Sequence, residues 1–449
     1  PLYNRVAPGE NGSIWIDMTD DRWRAIHVDR EGWKIVENPP ALFKRYQHQL
    51  PMVEPETEGN ISLLGPFLNV TDKEYLILIY AFLVCCLIPD IAVACLILHG
   101  VQGSSKTTVF KFLRSLVDPS VLEVLDLHES RREIVQLLDH HRVCFFDNLS
   151  GFGRNTSDLL SKIITGSGFS QRELYSTDTD VMRVIKKPVG LNGINLAASQ
   201  ADLLERSIAI EMEQIDPDRR KSEESLKAEF DLVKGKILGG ILTVLSATLK
   251  KYPEVEHTNL PRMTDYALYG EAMSQALGNQ PDLFKSVYWK NINETTEKGI
   301  QSNIVASAIL VFLSTTPEWS GTATALYGIL SDLAFLNKII PNLTYKWWPQ
   351  EPNKLSEQIN LVKPMLKMKK IEIANQRTGG ERTITLINKN FSGKSENVTQ
   401  AVMPPPSLLS LVSSNHPSEV NGYSTSEAGE APPEDAELDF EDIADQIDF

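Results

Sequence analysis

Short apolar runs alternate with polar positions along the first 50 residues, as in Ser13-Ile14-Trp15-Ile16-Asp17 and Trp33-Lys34-Ile35-Val36. Turn signals at Asn11-Gly12 and Asn38-Pro39-Pro40 punctuate them, so residues 1–58 predict a small β-rich unit. A Pro- and Glu-rich linker over 51–60 leads into Asp72 to Ile88, a helical run with Thr71 as its expected cap. From Ala92 to about Ile215, strand-like apolar runs alternate with helical patterns, and residues 59–215 read as one α/β core. Residues 216–317 are mostly helical in period, including Leu226 to Leu249. Between 318 and 390, Ala323 to Phe335 and Leu355 to Met368 predict helices. Lys370 to Asn375 and Thr383 to Asn388 then predict a hairpin around Thr378-Gly379-Gly380, and that order of elements predicts a winged helix-turn-helix. Residues 391–449, rich in Ser, Pro, Asn and acids, predict a disordered acidic tail.

Charge changes this picture only locally. The chain carries a net charge of −15, but residues 395–449 hold twelve Asp or Glu and no Lys or Arg, which leaves the remainder at −3. A near-neutral body can still carry a basic channel, so DNA is neither demanded nor excluded. Cys85, Cys86, Cys95 and Cys144 sit in apolar runs without the paired spacing of zinc sites and read as reduced core residues of a cytoplasmic protein. The apolar run Tyr75 to Ile88 is shorter than the roughly 20 residues that cross a bilayer, so a buried helix is expected there and no membrane. The chain starts at Pro1, without a secretory signal, and reads as a fragment or processed form.

The chemistry begins after the strand Cys95-Leu96-Ile97-Leu98-His99. There Gly100-Val101-Gln102-Gly103-Ser104-Ser105-Lys106-Thr107-Thr108 precedes the helical run Val109 to Leu116. A phosphate-binding loop needs glycines for close backbone approach, amides at a helix N-terminus, a lysine for the outer phosphates and a hydroxyl for magnesium. Lys106 and Thr107 fit the last two roles, with Gly100, Gly103, Ser104, Ser105 and Thr108 completing the cradle for ATP and Mg2+. Ser105 stands where the usual pattern has glycine; the plainer reading is a glycine turn before a helix.

A phosphate loop is answered downstream by an apolar strand ending in an acid that holds the magnesium shell. Val143-Cys144-Phe145-Phe146-Asp147 is that strand, which makes Asp147 the second metal residue. Asn148 follows where a water-activating Glu is common; an amide takes no proton, so Asn148 orients the water or another acid is the base. A third apolar strand, Pro188-Val189-Gly190-Leu191, ends at Asn192, a sensor of the γ-phosphate or simply an Asn-Gly turn. Arg206 precedes the strand-like Ile208-Ala209-Ile210, beside Glu205, and by itself reads as a surface ion pair.

This order of features resembles the superfamily-three helicases of the AAA+ class, in particular the phage and plasmid primase-associated type. The resemblance rests on Gly100 to Thr108, Val143 to Asn148, the stretch from Thr165-Gly166-Ser167-Gly168 through Arg172-Glu173-Leu174-Tyr175 to Pro188 and Asn192-Gly193, and Arg206. It implies a ring, usually a hexamer, with Arg206 as a finger on a neighbour's ATP and Asn192 as the polar sensor. It also implies a DNA-gripping hairpin before the sensor strand. Arg172 to Ser176 and Val181 to Leu191 are expected to pair around Thr177-Asp178-Thr179-Asp180; that tip is acidic, so Arg183, Lys186 and Lys187 on the return strand are the candidate DNA contacts.

The expected function is an ATP-dependent DNA helicase or translocase of a phage or mobile-element replication system, a ring on single-stranded or forked DNA. The alternative is a nucleotide-gated DNA-binding or assembly module without motor activity, kept open by Ser105 and Asn148. The tail from Glu434 to Phe449 mixes acids with Leu438, Phe440, Ile443, Ile447 and Phe449; it reads as a solubilising end or, since it resembles the acidic, Phe-terminated tails by which some phage replicative helicases and bacterial single-strand-binding proteins recruit partners, as a docking segment for a primase, polymerase or single-strand-binding protein.

Overall fold

A computed structural model of the chain describes residues 2–391 apart from 128–129, 150–153, 173–179, 194–200, 217, 219 and 379–380. The chain divides into two units, Pro1–Gly393 and Lys394–Phe449, and the second, with the expected tail beyond Phe391, lies outside the described residues.

The alternating N-terminal pattern folds as expected. Strands β1 (Val6–Pro8), β2 (Ile14–Asp17), β3 (Ala25–Asp29) and β4 (Gly32–Val36) form an antiparallel sheet in sequence order. Its apolar face packs into the same core as the rest of the chain to Ile292. Arg5 and Asp118 clamp it there, with Nε 3.1 Å from Oδ1 and both side chains fully buried. Arg5 also donates to the Pro119 carbonyl at 3.0 Å. The linker then meets the later helices: a Cβ on Gly239 would overlap the Glu56 carbonyl, so glycine there permits contact between two backbones.

Helix α1 (Leu76–Cys86) follows a short 3-10 turn over Lys73–Tyr75. The expected cap at Thr71 is corrected: Asp72 caps the turn, its side chain accepting from the Glu74 amide. An Asp one residue later offers an acceptor to the first free amide, so it displaces the threonine.

The central sheet holds β5 (Cys95–His99), β6 (Cys144–Leu149), β9 (Val189–Gly193) and β10 (Ser207–Glu211) in the order β10-β5-β9-β6, all parallel. These strands are near-continuous apolar runs because both faces are covered. Between them lie α2 (Lys106–Val117), α3 (Arg131–His140), α4 (Arg154–Thr165), the hairpin of β7 (Ser167–Arg172) with β8 (Asp180–Ile185), and the short α5 (Ala201–Leu204).

The hairpin differs from expectation. It opens at Ser167, with Arg172 opposite Asp180, and closes at Ile185, where Lys186, Lys187 and Pro188 break away. Val189 to Leu191 belong to β9 in the parallel sheet, because Pro188 has no amide to extend an antiparallel ladder and the residues after it are wholly apolar. Residues 173–179, which hold most of the proposed tip, lie outside the described residues.

Helices α6 (Glu223–Lys251), α7 (Thr264–Ala276) and α8 (Leu283–Ser302) cover the sheet and share its core. By length and composition α6 is apolar enough to cross a membrane, but 61% of its apolar window is buried inside the protein. A second core from Ile300 to Leu386 joins α9 (Ile304–Thr315), β11 (Glu318–Thr322), α10 (Ala323–Leu336), α11 (Pro352–Met368), β12 (Ile371–Thr378) and β13 (Glu381–Asn388). Its sheet runs β11-β13-β12, antiparallel. The helices and hairpin fall where the periodicity predicts; β11 is an addition, hidden in sequence by Ser320 and Gly321.

Candidate functional site

The carboxyl ends of β5, β6 and β9 open into one cleft of about 1080 Å3. Open parallel sheets place their ligand sites at this edge. Gln102 to Thr108, Asp147, Asn148, Asn192 and Gly193 line it together, so residues drawn from three separated motifs are neighbours.

The loop from Gly100 to Ser105 has the backbone of a cradle. Gly100 and Gly103 take φ values of 140° and 81°, open to glycine alone at little cost. Ser105 adopts the left-handed region at φ 60° and ψ 25° and stands as the cap residue of α2 without a side-chain cap bond. The first amides of that helix therefore face the cleft without the usual side-chain acceptor, which suits an anion. Lys106 Nζ curls into the loop, donating to Gly100 O at 3.0 Å, Val101 O at 2.9 Å and Ser104 Oγ at 3.0 Å. Burial lowers its pKa, with the Asp147 charge acting in the opposite sense.

Asp147 gathers three donors on one oxygen. Thr107 Oγ1 reaches Oδ1 at 2.9 Å, the Asn148 amide at 2.9 Å, and Asn192 Nδ2 donates to the same atom. Asn192 is only 3% exposed and its Oδ1 accepts from the Asn148 amide at 3.1 Å. The Asn192 side chain thus ties the end of β9 to the end of β6, a link an ordinary surface turn would not need. Asn148 itself has φ 54°, turning the chain at this strand end. Among the described residues no three His, Cys, Asp or Glu gather as a metal cluster. The donors present, one hydroxyl and one carboxylate, fit magnesium, which keeps several waters and takes its other oxygens from phosphates.

Sequence reasoning missed Arg220. A Cβ on Gly103 would lie 3.2 Å from its Nη2, so the guanidinium rests directly over the phosphate-loop glycine. Among the described residues its hydrogen bond from Nε to Ile215 O is long, at 3.4 Å. Arg220 falls in an irregular polar stretch after β10, where sequence offers no periodicity to place it. Pro66, Phe67, Leu68 and Leu226 add an apolar wall to the cleft.

Arg206, Lys186 and Lys187 are not in this cleft. Ser207 pairs with Cys95 and Glu211 with His99, so Arg206 stands at the opening of β10, the far edge of the sheet from the loop. It pairs with Asp202, not with Glu205, which bonds Arg262 instead. Lys186 Nζ donates to Asp90 O at 2.7 Å. The Lys187 amine is pushed down to about 8 by burial and then by the Arg142 guanidinium. The side chain of Arg183 lies outside the described residues.

Two family models match the chain in order. Residues 61–283 match the actinomycete integrative conjugative element replication protein and residues 305–399 the RepA C-terminal domain of the same elements. Together they take in well over half of the chain. It is a replication protein of a mobile element.

The curated proteins compared give this replication protein no match. Among solved structures it is similar to the apo C-terminal region of NrS-1, at 10% identity and a TM-score of 0.34, over 83% of this chain and 96% of that one. It is also similar to an SCCmec type IV Cch described as an active helicase, at 12% and 0.45, over 86% and 78%. The JCV helicase follows at 15% and 0.24, over 50% and 62%. Likenesses this loose carry no argument about activity, which rests on the residues of the cleft.

Proposed function

We propose that this replication protein is an ATP-driven DNA helicase or translocase that works as a hexameric ring on single-stranded or forked DNA. The observation that supports it most is the meeting of Lys106, Thr107, Asp147 and Asn192 in one cleft at the carboxyl edge of a parallel sheet. In this reading residues 59–215 are the phosphate-loop ATPase core between the β-rich unit 1–58 and the helical region 216–317. Gly100, Gly103, Ser104, Ser105 and Thr108 cradle the phosphates. Lys106 would turn from its loop carbonyls to the outer phosphates, and Thr107 with Asp147 would hold the magnesium, which would offset the phosphate charge.

Water adds to the γ-phosphorus as the bond to the bridging oxygen breaks, releasing ADP and phosphate. Asn192 and Asn148 orient the attacking water, while Arg206 of a neighbouring copy meets the charge that develops. Arg220 supplies a second guanidinium from the same chain. Residues 318–390 act as a winged helix-turn-helix, and the tail 391–449 recruits a primase, polymerase or single-strand-binding protein.

ATP hydrolysis with and without single-stranded DNA, read beside unwinding of a forked duplex, tests the reading. Hydrolysis that DNA stimulates, with strand separation, is expected; no hydrolysis under either condition would sink it. One observation favours the passive module instead: Asn148 stands where a carboxylate base is common, and its side-chain amide takes no proton. Lys106→Ala separates the two. A motor loses hydrolysis and movement, whereas a passive module keeps DNA binding and its effect on partners.

A further inference from the structure

The two large hydrophobic cores meet at a glycine. Leu204, at the end of α5, belongs to the core of the central sheet, and Met365, on α11, to the core of the C-terminal unit. A Cβ on Gly299 of α8 would lie 3.2 Å from Met365 Sδ and 3.6 Å from Leu204 Cδ1, so both side chains converge on the bare stretch of that helix. Glycine inside a helix costs stability, and what it provides here is room for this crossing.

Helix α8 is a fixed platform for that crossing. Its buried Asn291 serves β10 as another strand would, accepting from the Ala209 amide at 3.0 Å and donating to the Ala209 carbonyl at 2.7 Å. Lys298 pairs with Glu211 at the end of the same strand. Helix α11 is fastened to the neighbouring turns: Thr296 Oγ1 donates to Met368 Sδ at 3.4 Å, and Lys369 pairs with Glu297. Leu204 stands two residues before Arg206, and α5 directs that arginine. Arg206 Nη1 donates to the Asp202 carbonyl at 2.6 Å and pairs with the Asp202 carboxylate, while Nε is buried with no hydrogen-bond partner among the described residues. The Arg206 side chain is only 13% exposed, so its direction follows α5.

We infer that Met365 is a positioning residue for Arg206: packed against Leu204 over Gly299, it holds α5, and with α5 the arginine, at the angle that a neighbouring copy's ATP requires. The inference rests on the reading of Arg206 as a finger. Met365 does not line the nucleotide cleft, so it acts on hydrolysis only through the segment it supports. The C-terminal unit thereby has a route to the rate of hydrolysis that needs no group of its own on the nucleotide. Close packing makes such a contact stiff, because a buried side chain has few places to move.

The test is steady-state ATP hydrolysis by the full chain beside equilibrium binding of a fluorescent ATP analogue. Displacing a positioned group by about 1 Å costs up to about 100-fold in rate, so Met365→Ala is expected to lower kcat on the order of 10–100-fold with analogue affinity unchanged. Met365→Leu, which keeps the volume, should keep most of the rate. Without nucleotide, amide exchange in Met365→Ala should quicken at Arg206, whose N–H donates to Leu203 O at 3.0 Å. If Met365→Ala does not fold, Met365→Val, which removes less of the side chain, is read in the same way. Mixing with Lys106→Ala assigns the defect: Met365→Ala subunits keep a sound loop, so a sound finger from a Lys106→Ala neighbour should restore part of their rate. Unchanged kcat, a loss of analogue affinity, or recovery for Arg206→Ala but not for Met365→Ala would overturn the proposal alone. No recovery for Arg206→Ala would remove the finger reading, and the proposal with it.

Discussion

Thr107 Oγ1 and Asp147 Oδ1 stand 2.9 Å apart, so the hydroxyl of the phosphate loop and the acid of β6 meet without an intermediary. In the proposed reading these two residues would hold the magnesium that accompanies ATP, which would offset the charge of the phosphates. Thr107→Ala should raise the magnesium concentration for half-maximal ATP hydrolysis on the order of 10-fold or more, and Asp147→Asn should cut kcat by about 100-fold. A magnesium titration of the steady-state rate checks both. An unchanged titration curve for Thr107→Ala would separate the hydroxyl from the metal.

Ser105 holds a left-handed backbone at φ 60°, which costs a residue with a Cβ about 1–2 kcal/mol. Glycine takes it freely, at the expense of about 0.4–1 kcal/mol from a looser unfolded chain. The difference predicts that Ser105→Gly stabilises the protein by roughly 0.5 kcal/mol. Ser105→Val, branched at the strained position, should destabilise it by more than that. Denaturant midpoints at constant slope measure both, and a lower midpoint for the glycine variant would contradict the backbone account.

The same position explains what sequence could and could not disclose. A serine before Lys106 looks like a departure from the phosphate-loop pattern, yet the backbone it adopts is the one that makes glycine usual there. Strand, loop and helix were legible around Lys106 because buried parallel strands are continuous apolar runs with sharp ends. Asn192 was harder: Asn-Gly is also a turn signal, and only its bond to Asp147, 45 residues earlier, distinguishes the two. Sequence alone places Pro188 both in the hairpin's return strand and at the head of a third apolar strand; the structure shows the crossing there, with the hairpin ending at Ile185 and β9 starting at Val189. Arg220 left no trace, since a residue on an irregular stretch is placed by tertiary contacts alone.

His99, at the end of β5 just before the loop, has its pKa lowered to about 4 by burial and then by Lys298, with Glu211 acting the other way. Above pH 6.5 it is neutral in both folded and unfolded chains and has no effect. Between pH 6.5 and about 4 the unfolded chain takes up a proton that the folded one refuses, so stability falls as pH falls. The slope from this residue reaches about 1.4 kcal/mol per pH unit. His141 is lowered further, to about 3, by burial and Arg114, and extends the acid limb below His99. Stability against pH for His99→Gln should be flatter from 6.5 to 4 than for the wild type. A curve of equal steepness would place the acid sensitivity elsewhere.

Arg206 and Arg220 stand at opposite ends of the β5–β10 pair, and only Arg220 lies over its own chain's phosphate loop. Arg206 precedes Ser207, which pairs with Cys95 at the start of β5, while the phosphate loop follows His99 at its end. Five residues of strand are about 16 Å, too far for an arginine to reach its own cleft. Arg220 rests over Gly103 of the same chain. If ATP sits between copies in a ring, Arg206 acts across the interface and Arg220 within it. Either alanine substitution should reduce hydrolysis, Arg206→Ala by about three to five powers of ten with nucleotide binding nearly intact. Arg220→Ala should weaken nucleotide binding as well. Mixing separates them. Arg206→Ala subunits keep a sound loop and Lys106→Ala subunits keep a sound finger, so mixed rings contain some competent interfaces and regain part of the rate. Arg220→Ala mixed with Lys106→Ala places a defect in every cleft and regains nothing. Recovery in the second mixture would show that Arg220 also reaches a neighbour's nucleotide, and no recovery in the first would remove Arg206 from the role of a finger.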